Sequence, residues 1–130
     1  MAGAAGALLS SAAAWFARRY VRLQISGRSM LPNLAPGDRV LVDRRARIVV
    51  GDVVALRDPR EENRVIVKRV AGIEAHGFRV EGDNESESTD SRHFGPVRSD
   101  LVVGRVVRRY WPAPRRARER SGPTRARTGR

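Results

Sequence analysis

The sequence predicts an all-β domain, mainly antiparallel, preceded by a short apolar N-terminal helix. Short apolar and β-branched runs recur between residues 20 and 107, separated by turns rich in Gly, Pro and Asp. In the first run, Val21, Leu23 and Ile25 alternate with polar residues, which is the period of a strand with one buried face. The region shows no helical periodicity, so the pattern favours a β fold.

Further strands are predicted along the chain at 40–42, 48–50, 53–56, 65–70, 78–80 and 101–107. The intervening segments are predicted as turns at 33–38 and 51–52, a polar loop at 58–63 and a turn-rich stretch at 82–100. A chain of 130 residues allows one domain with short appendages. We place that domain at residues 18–112.

The N-terminal segment, residues 1–17, is rich in Ala and Gly, and Arg18, Arg19 and Arg22 follow it. It is shorter than the about 20 apolar residues of a membrane span, and it lacks the basic start of a secretory signal. We therefore expect a surface helix or marginal anchor, with peripheral membrane contact through residues 1–22. If the segment does span a membrane, the arginines after it favour a cytoplasmic domain.

The net charge of +12 is typical of proteins that bind nucleic acid or anionic membranes. However, residues 113–130 contain seven arginines and one glutamate, so 7 − 1 = 6 of these charges lie in the tail. Aromatic residues are few and are not interleaved with arginine, so no stacking surface for single strands is evident. We expect no nucleic-acid partner, and we predict that the tail is disordered.

Composition also bears on metal and cofactor sites. The chain has no cysteine, which excludes disulfides and thiolate metal sites. Its two histidines, His76 and His93, are too few for a His-rich metal site and disfavour a Ser-His-Asp arrangement. We therefore expect neither a metal nor another cofactor.

A candidate nucleophile, Ser29, lies in a turn enclosed by a glycine and a proline, SGRSMLP (26–32). Lys68, in the apolar run VIVKRV (65–70), is one lysine among 25 arginines. A serine hydroxyl attacks effectively when a neighbouring base takes its proton. Lysine is such a base only when neutral, so its pKa of about 10.4 must fall by roughly three units. Arginine does not deprotonate and cannot replace it.

We predict that Ser29 is the nucleophile and Lys68 its general base. On a strand, Lys68 shares a face with Ile66 and Val70, and that apolar face supplies the desolvation. The backbone N–H of Ser29 is the expected donor to the oxyanion. Serines in such turns are common, however, and a lone lysine on a strand is usually solvated. A non-catalytic binding module is therefore the alternative.

A third segment, GDNESESTDSRHFGPV (82–97), completes a recognisable pattern. Together with SGRSMLPNLAPGDRVLV (26–42), GDVVAL (51–56) and VIVKRV (65–70), it resembles the signal peptidase I (S26) family of serine endopeptidases. The resemblance covers about residues 20–107 and implies the β fold shared with the self-cleaving SOS-response repressors. It also implies a precursor protein bound as an extended peptide, added as a strand and cut after a small residue.

The resemblance assigns roles by position in this sequence. Ser29 matches the nucleophile and Lys68 the general base. Ser88 matches the serine that hydrogen-bonds the lysine and orients it. Asp90 and Arg92 match an ion pair that supports this loop.

Two further residues, Met30 and Pro32, match positions that shape the family's site. Gly27 is a departure, because some members have a hydroxyl residue there, and it leaves the second oxyanion donor unassigned. The Gly-Asp pair usual after the lysine segment is missing. The large extracytoplasmic insertion of many members is also absent, since 13 residues separate Lys68 from Gly82.

The ending STDSRHFGPV (88–97) and the close RYWP (109–112) resemble the small maturation proteases of nickel-containing superoxide dismutase. Those proteases imply removal of a short propeptide from a cytoplasmic precursor, in the cytoplasm or at the inner face of the cell membrane. The alternative is removal of secretory signal peptides by a membrane-anchored protein with an extracytoplasmic domain. The mitochondrial inner-membrane proteases are similarly small.

Overall fold

The computed structural model describes residues 3–112, with side chains from residue 10 onward. The predicted disordered tail, 113–130, lies outside the described residues. The helices and strands are α1 (Gly3–Arg19), β1 (Tyr20–Gln24), β2 (Arg39–Asp43), β3 (Val53–Asp58), β4 (Glu61–Glu74), β5 (Gly77–Glu81), α2 (Ser91–Phe94), β6 (Val97–Arg98) and β7 (Val102–Trp111). One-turn 3-10 helices occupy 85–87 and 99–101.

The seven strands form one antiparallel sheet in the order β1-β2-β7-β3-β4-β5-β6. This confirms the predicted fold class, a mainly antiparallel β domain with a short N-terminal helix. Four antiparallel pairings separate β1 from β4, so these two strands run in the same direction. The end of β1 and the middle of β4 line one cleft, so the sheet curls until β1 and β4 face each other.

The predicted strand at 48–50 is wrong, because this segment enters a turn instead. The Val49 N–H donates to the Asp52 carboxylate at 2.8 Å, and the Asp52 N–H donates back to the Val49 carbonyl at 3.1 Å. Gly51 has a φ of 94°, which favours glycine in this turn. Val49 and Val50 are exposed, so their β-branched side chains reflect no buried strand.

The predicted loop at 58–63 is also wrong, because only two residues separate β3 from β4. The Asp58 carboxylate accepts the Arg60 N–H at 2.9 Å and closes the turn. A side chain that bonds its own backbone two residues on stabilises a tight turn. Strand β4 consequently begins at Glu61 and runs for 14 residues.

Helix α1 confirms the short N-terminal helix that the sequence predicts. Its Trp15 and Phe16 are exposed, and the Phe16 ring packs on Tyr20 with centroids 4.7 Å apart. No helix within residues 3–112 is both long enough and apolar enough to cross a membrane.

The buried core connects the Ser29 turn to β4. One cluster of buried side chains contains Ile25 and Met30, which flank the turn, together with Val67 of β4. Burying each such side chain contributes about 1.5–3 kcal/mol. A second cluster, which includes Val70 and Val80, packs the other part of the sheet. The residue after Ser29 and the residue before Lys68 are therefore held by the same core.

Candidate active site

Ser29 and Lys68 line the same cleft, whose volume is about 410 Å³. Residues 23–30 form one wall, residues 64–68 of β4 form another, and Arg60, Glu87 and Thr89 complete the lining. Ser29 is half-buried at its turn. The two residues that the sequence predicts as nucleophile and base therefore line one cleft.

The Lys68 amine is almost entirely withdrawn from solvent, and the residue is only 4% exposed. Burial lowers the pKa of Lys68, while the charge of Asp90 opposes that decrease. The Nζ atom donates a 2.9 Å hydrogen bond to the Ser88 hydroxyl. The site thus lowers the pKa of the amine and holds Nζ against the Ser88 hydroxyl.

Behind Ser88, the carboxylate of Asp90 is fully buried. It accepts hydrogen bonds from the Gly82 N–H at 2.8 Å, from the Ser88 hydroxyl at 2.6 Å and from Arg92 Nη2 at 2.6 Å. Burial acts to raise the pKa of Asp90, but the hydrogen bonds from Arg92, Ser88 and the backbone outweigh it. They hold the pKa of Asp90 well below its usual range.

The ionised carboxylate sets the direction of the hydrogen bonds. Asp90 can only accept, so the single Ser88 proton points to it and the Ser88 oxygen accepts from Lys68. A neutral Lys68 amine then keeps one lone pair that is not directed at Ser88. The three groups therefore leave the basic electron pair available to a proton from another hydroxyl in the cleft.

The segment before Ser88 holds the Ser29 turn from the other side. The Asn84 N–H donates to the Ser29 carbonyl at 2.7 Å, and Asn84 Nδ2 donates to the Arg28 carbonyl at 3.1 Å. Asp83 accepts two hydrogen bonds from Arg69, both at 2.8 Å, and one from Asn33 at 2.7 Å.

Sequence reasoning assigned no role to Asn33, Arg69, Asp83 or Asn84. A signal was present, because Asp83 and Asn84 lie within the segment that carries the resemblance and Arg69 directly follows Lys68. The hydrogen bonds between these residues span up to 50 positions of the chain, so only the folded arrangement reveals them.

The remaining predicted residues occupy different surroundings. Met30 is 1% exposed and belongs to the core, whereas Pro32 lies at the surface. His93 lies in α2, where its Nδ1 accepts the Asp90 N–H at 3.3 Å, outside the cleft lining. At Gly27 an added Cβ would meet nothing within 4 Å, so the space beside this residue is open.

Within residues 3–112 no group of three His, Asp or Glu side chains is placed to hold a metal ion.

Gly82 packs so closely against the site that we expect Gly82→Ala to abolish most activity. The added Cβ would lie 2.2 Å from the Ser88 hydroxyl oxygen and 2.7 Å from the Ser29 carbonyl oxygen. Both elements of the site must move, and overpacking of this kind costs about 1–3 kcal/mol. A displacement of about 1 Å in a catalytic group can lower the rate about 100-fold.

Steady-state peptide cleavage and urea unfolding measure the two effects of Gly82→Ala. The matched control is Gly72→Ala in β4, where the nearest atom to the added Cβ is 3.8 Å away. Equal activity of the two alanine variants would show that Gly82 does not position the site.

Two further residues of the cleft lining, Arg60 and Arg64, pair with Asp58, which is fully buried. Burial acts to raise the pKa of Asp58, but the hydrogen bonds from Arg60 and Arg64 lower it to about 2. The sequence does not identify this cluster, because it predicts only a polar loop at residues 58–63.

The depressed pKa of Asp58 predicts a loss of stability in acid. A carboxylate with a lower pKa in the folded state stabilises the fold above its unfolded pKa of about 3.9. That contribution, up to about 2 kcal/mol, disappears as the pH falls from about 4 to about 2. Urea midpoints measured across this range should drop in the wild type and drop less in Asp58→Asn. Parallel curves for the two proteins would contradict the assignment.

Comparison with known proteins shows which family the sequence matches. The model of the family described as signal peptidase, peptidase S26, matches residues 2–77 and 73–111. The mitochondrial ATP-independent inner membrane protease subunit 1a of Arabidopsis thaliana is 36% identical over 115 residues, which cover 68% of each chain. The mitochondrial inner membrane protease subunit 1 of Schizosaccharomyces pombe is 34% identical over 113 residues, covering 68% of this chain and 72% of the relative.

The corresponding subunit 1 of Mus musculus is 32% identical over 111 residues, covering 67% of each chain. These matches agree with the resemblance that the segments around Ser29, Lys68 and Ser88 indicate. The chain therefore belongs to the peptidase S26 family, whose members include the signal peptidases.

Proposed function

We propose that the protein is a serine endopeptidase with a Ser29–Lys68 dyad that removes an N-terminal leader or propeptide. The observation that supports this most strongly is a buried lysine with a lowered pKa in the cleft that also contains Ser29. A structural lysine gains nothing from such a position, because burial disfavours its charged form. Membership of a peptidase family supports the same reaction class.

In the proposed reaction, neutral Lys68 takes the proton of Ser29 while Oγ attacks the scissile carbonyl. Protonated Lys68 then gives that proton to the leaving amine as the C–N bond breaks, which leaves an acyl ester on Ser29. Lys68 next takes a proton from a water molecule, whose oxygen attacks the ester. The proton returns to Ser29 Oγ as the new carboxyl end departs.

The other groups of the site keep Lys68 ready for these transfers. Ser88 holds Nζ at 2.9 Å, and Asp90 holds Ser88. Within residues 3–112 the Ser29 N–H donates to no protein acceptor, so it is available to the oxyanion. Gly27 contributes no hydroxyl to a second donor position, which leaves the backbone as the source of oxyanion stabilisation in this proposal.

We propose the precursor of nickel-containing superoxide dismutase as the substrate. The support is the resemblance of residues 88–97 and 109–112 to the maturation proteases of that enzyme. Removal of secretory signal peptides is the second candidate. It is favoured by the match to the family described as signal peptidase, peptidase S26.

Incubation with purified precursors tests both the activity and the substrate. The protein is mixed separately with the nickel-dismutase precursor and with a secretory preprotein, and new N-termini are sequenced. We expect one new N-terminus from the dismutase precursor and none when Ser29→Ala replaces the wild type. Cleavage of the secretory preprotein alone would overturn the substrate, and cleavage of neither precursor would favour the non-catalytic binding module.

We also propose that the protein contacts the inner face of the membrane through α1 and the arginines that follow it. Trp15 and Phe16 are exposed beside Arg18 and Arg22, an arrangement suited to an anionic lipid surface. Flotation with anionic and with neutral vesicles measures this contact. Binding to anionic vesicles should decrease in Trp15→Ala/Phe16→Ala, and unchanged binding would contradict the proposal.

A further inference from the structure

The substrate cleft has a second chemical feature besides Ser29 and Lys68. Arg60 and Arg64 line it as well, next to residues 65–67 of β4. Lys68 lies four positions after Arg64 on this strand, which at about 3.3 Å per residue separates the two by about 13 Å. β1 and β4 run in the same direction in the strand order, and this topology would set Arg64 towards Leu23 and Lys68 towards Ser29.

The two arginines are held in place from beneath by Asp58. Arg60 donates to this carboxylate through Nε at 3.0 Å and Nη2 at 2.9 Å, and Arg64 donates through the same two nitrogens. The Arg60 guanidinium also lies 5.7 Å from the centre of the Phe94 ring. Guanidinium groups fixed in this way lose less conformational entropy when they bind a further anion.

Both guanidinium groups retain binding capacity towards the cleft. Their side chains are 44% and 52% exposed. Each has five N–H donors, and within residues 3–112 their hydrogen bonds go to Asp58 alone, so the donors on Nη1 are available.

The local charges also favour an anion at this end of the cleft. One buried carboxylate between two guanidinium groups leaves a net charge of about +1. Glu61 acts electrostatically on Arg64, but it is exposed to solvent, which screens it. The other acidic residue of the lining, Glu87, pairs with Arg28 at 3.1 Å on the Ser29 side.

We propose that Arg60 and Arg64 bind an acidic side chain of the precursor, about four residues from the scissile bond. The spacing follows from the rise along β4, because an extended peptide paired alongside that strand advances at the same rate per residue. The preference deepens the proposed endopeptidase function and rests on it. The substrates recognised in this way are precursors with one acidic residue at a fixed distance from the cleavage site. That residue lies either in the leader or at the start of the mature protein.

A scanning series of synthetic peptides tests this preference. Each peptide has a small residue before the scissile bond and one glutamate, placed two to six residues from the bond on either side. A matched peptide has glutamine in place of that glutamate. We expect glutamate about four residues from the bond, on one side, to raise kcat/KM roughly five- to tenfold over glutamine, mainly through KM. Arg64→Gln or Arg60→Gln should remove the difference.

The single arginine variants keep one partner for the buried Asp58, so both are expected to fold. Arg57→Gln is the matched control, since this exposed β3 residue makes the same charge change outside the cleft lining. The preference would be overturned if no position distinguished glutamate from glutamine, or if the difference survived in both Arg60→Gln and Arg64→Gln.

Equilibrium binding of the same labelled peptides to Ser29→Ala separates this proposal from the proposed function. Glutamate-dependent binding that disappears in Ser29→Ala/Arg64→Gln supports the arginine site even if the wild type cleaves no peptide, a result that would overturn the endopeptidase alone. Cleavage by the wild type with equal binding of glutamate and glutamine peptides would overturn the arginine site alone.

Discussion

Lys68→Arg is expected to lower kcat by about 10³–10⁴-fold, because arginine keeps the positive charge and cannot accept a proton. Lys68 is 4% exposed and hydrogen-bonded to Ser88, so no solvent molecule readily takes over its role. Peptide cleavage at saturating substrate measures the effect. A Lys68→Arg variant with activity near the wild-type level would show that Lys68 is not the base.

The larger guanidinium also has to fit a buried position, so a second variant separates chemistry from packing. Lys68→Met has a similar length, leaves no buried amine and should fold at least as stably as the wild type. We expect it to be as inactive as Lys68→Arg, with a urea midpoint equal to or above that of the wild type. Ser29→Ala should show the same loss, whereas Ser99→Ala, an exposed serine in a 3-10 helix, should retain full activity.

Asp90→Asn is expected to destabilise the fold by about 3–5 kcal/mol and to reduce activity as well. Both carboxylate oxygens of Asp90 accept from N–H donors: Oδ1 from Arg92 and Oδ2 from Gly82 and Arg92. An asparagine in either orientation therefore turns its own NH₂ group towards another donor. It also removes the charge that compensates Arg92.

Urea unfolding at neutral pH measures the cost of Asp90→Asn. Asp100→Asn is the matched control, because Asp100 pairs with Arg98 at 3.1 Å while both side chains are about two-thirds exposed. Exposed pairs contribute about 0–1 kcal/mol, so this control should unfold almost as the wild type does. If the two variants unfolded at the same urea concentration, the Asp90 network would not have the stabilising role assigned to it.

Residues close together in the chain allowed much of the fold to be predicted. The alternation around Val21 and the run of residues 65–70 correctly placed β1 and the centre of β4. The predictions for residues 48–50 and 58–63 are wrong for the same reason. In each, an aspartate side chain closes a turn on its own backbone, and apolar periodicity does not reveal such a bond.

Some residues of the site could be predicted from the sequence, and others could not. A single lysine among arginines was a local chemical signal for Lys68, and the resemblance added Ser88. The hydrogen bond from Asn84 to the Ser29 carbonyl and the convergence of Arg60 and Arg64 on Asp58 depend on which strands become neighbours. Only the curled sheet, with β1 facing β4, brings the arginines and Ser29 into one cleft.

The identity of Lys68 as the base is tested most directly by changing its basicity in place. The chain has no cysteine, so Lys68→Cys can be alkylated selectively with 2-bromoethylamine while unfolded and then refolded. The product has a lysine-like side chain with sulfur in place of one methylene, which makes the amine less basic. We predict that Lys68→Cys is inactive, that alkylation restores cleavage, and that the acidic limb of the kcat/KM profile moves to lower pH. Restored cleavage with the wild-type pH profile, or activity before alkylation, would contradict a Ser29–Lys68 dyad.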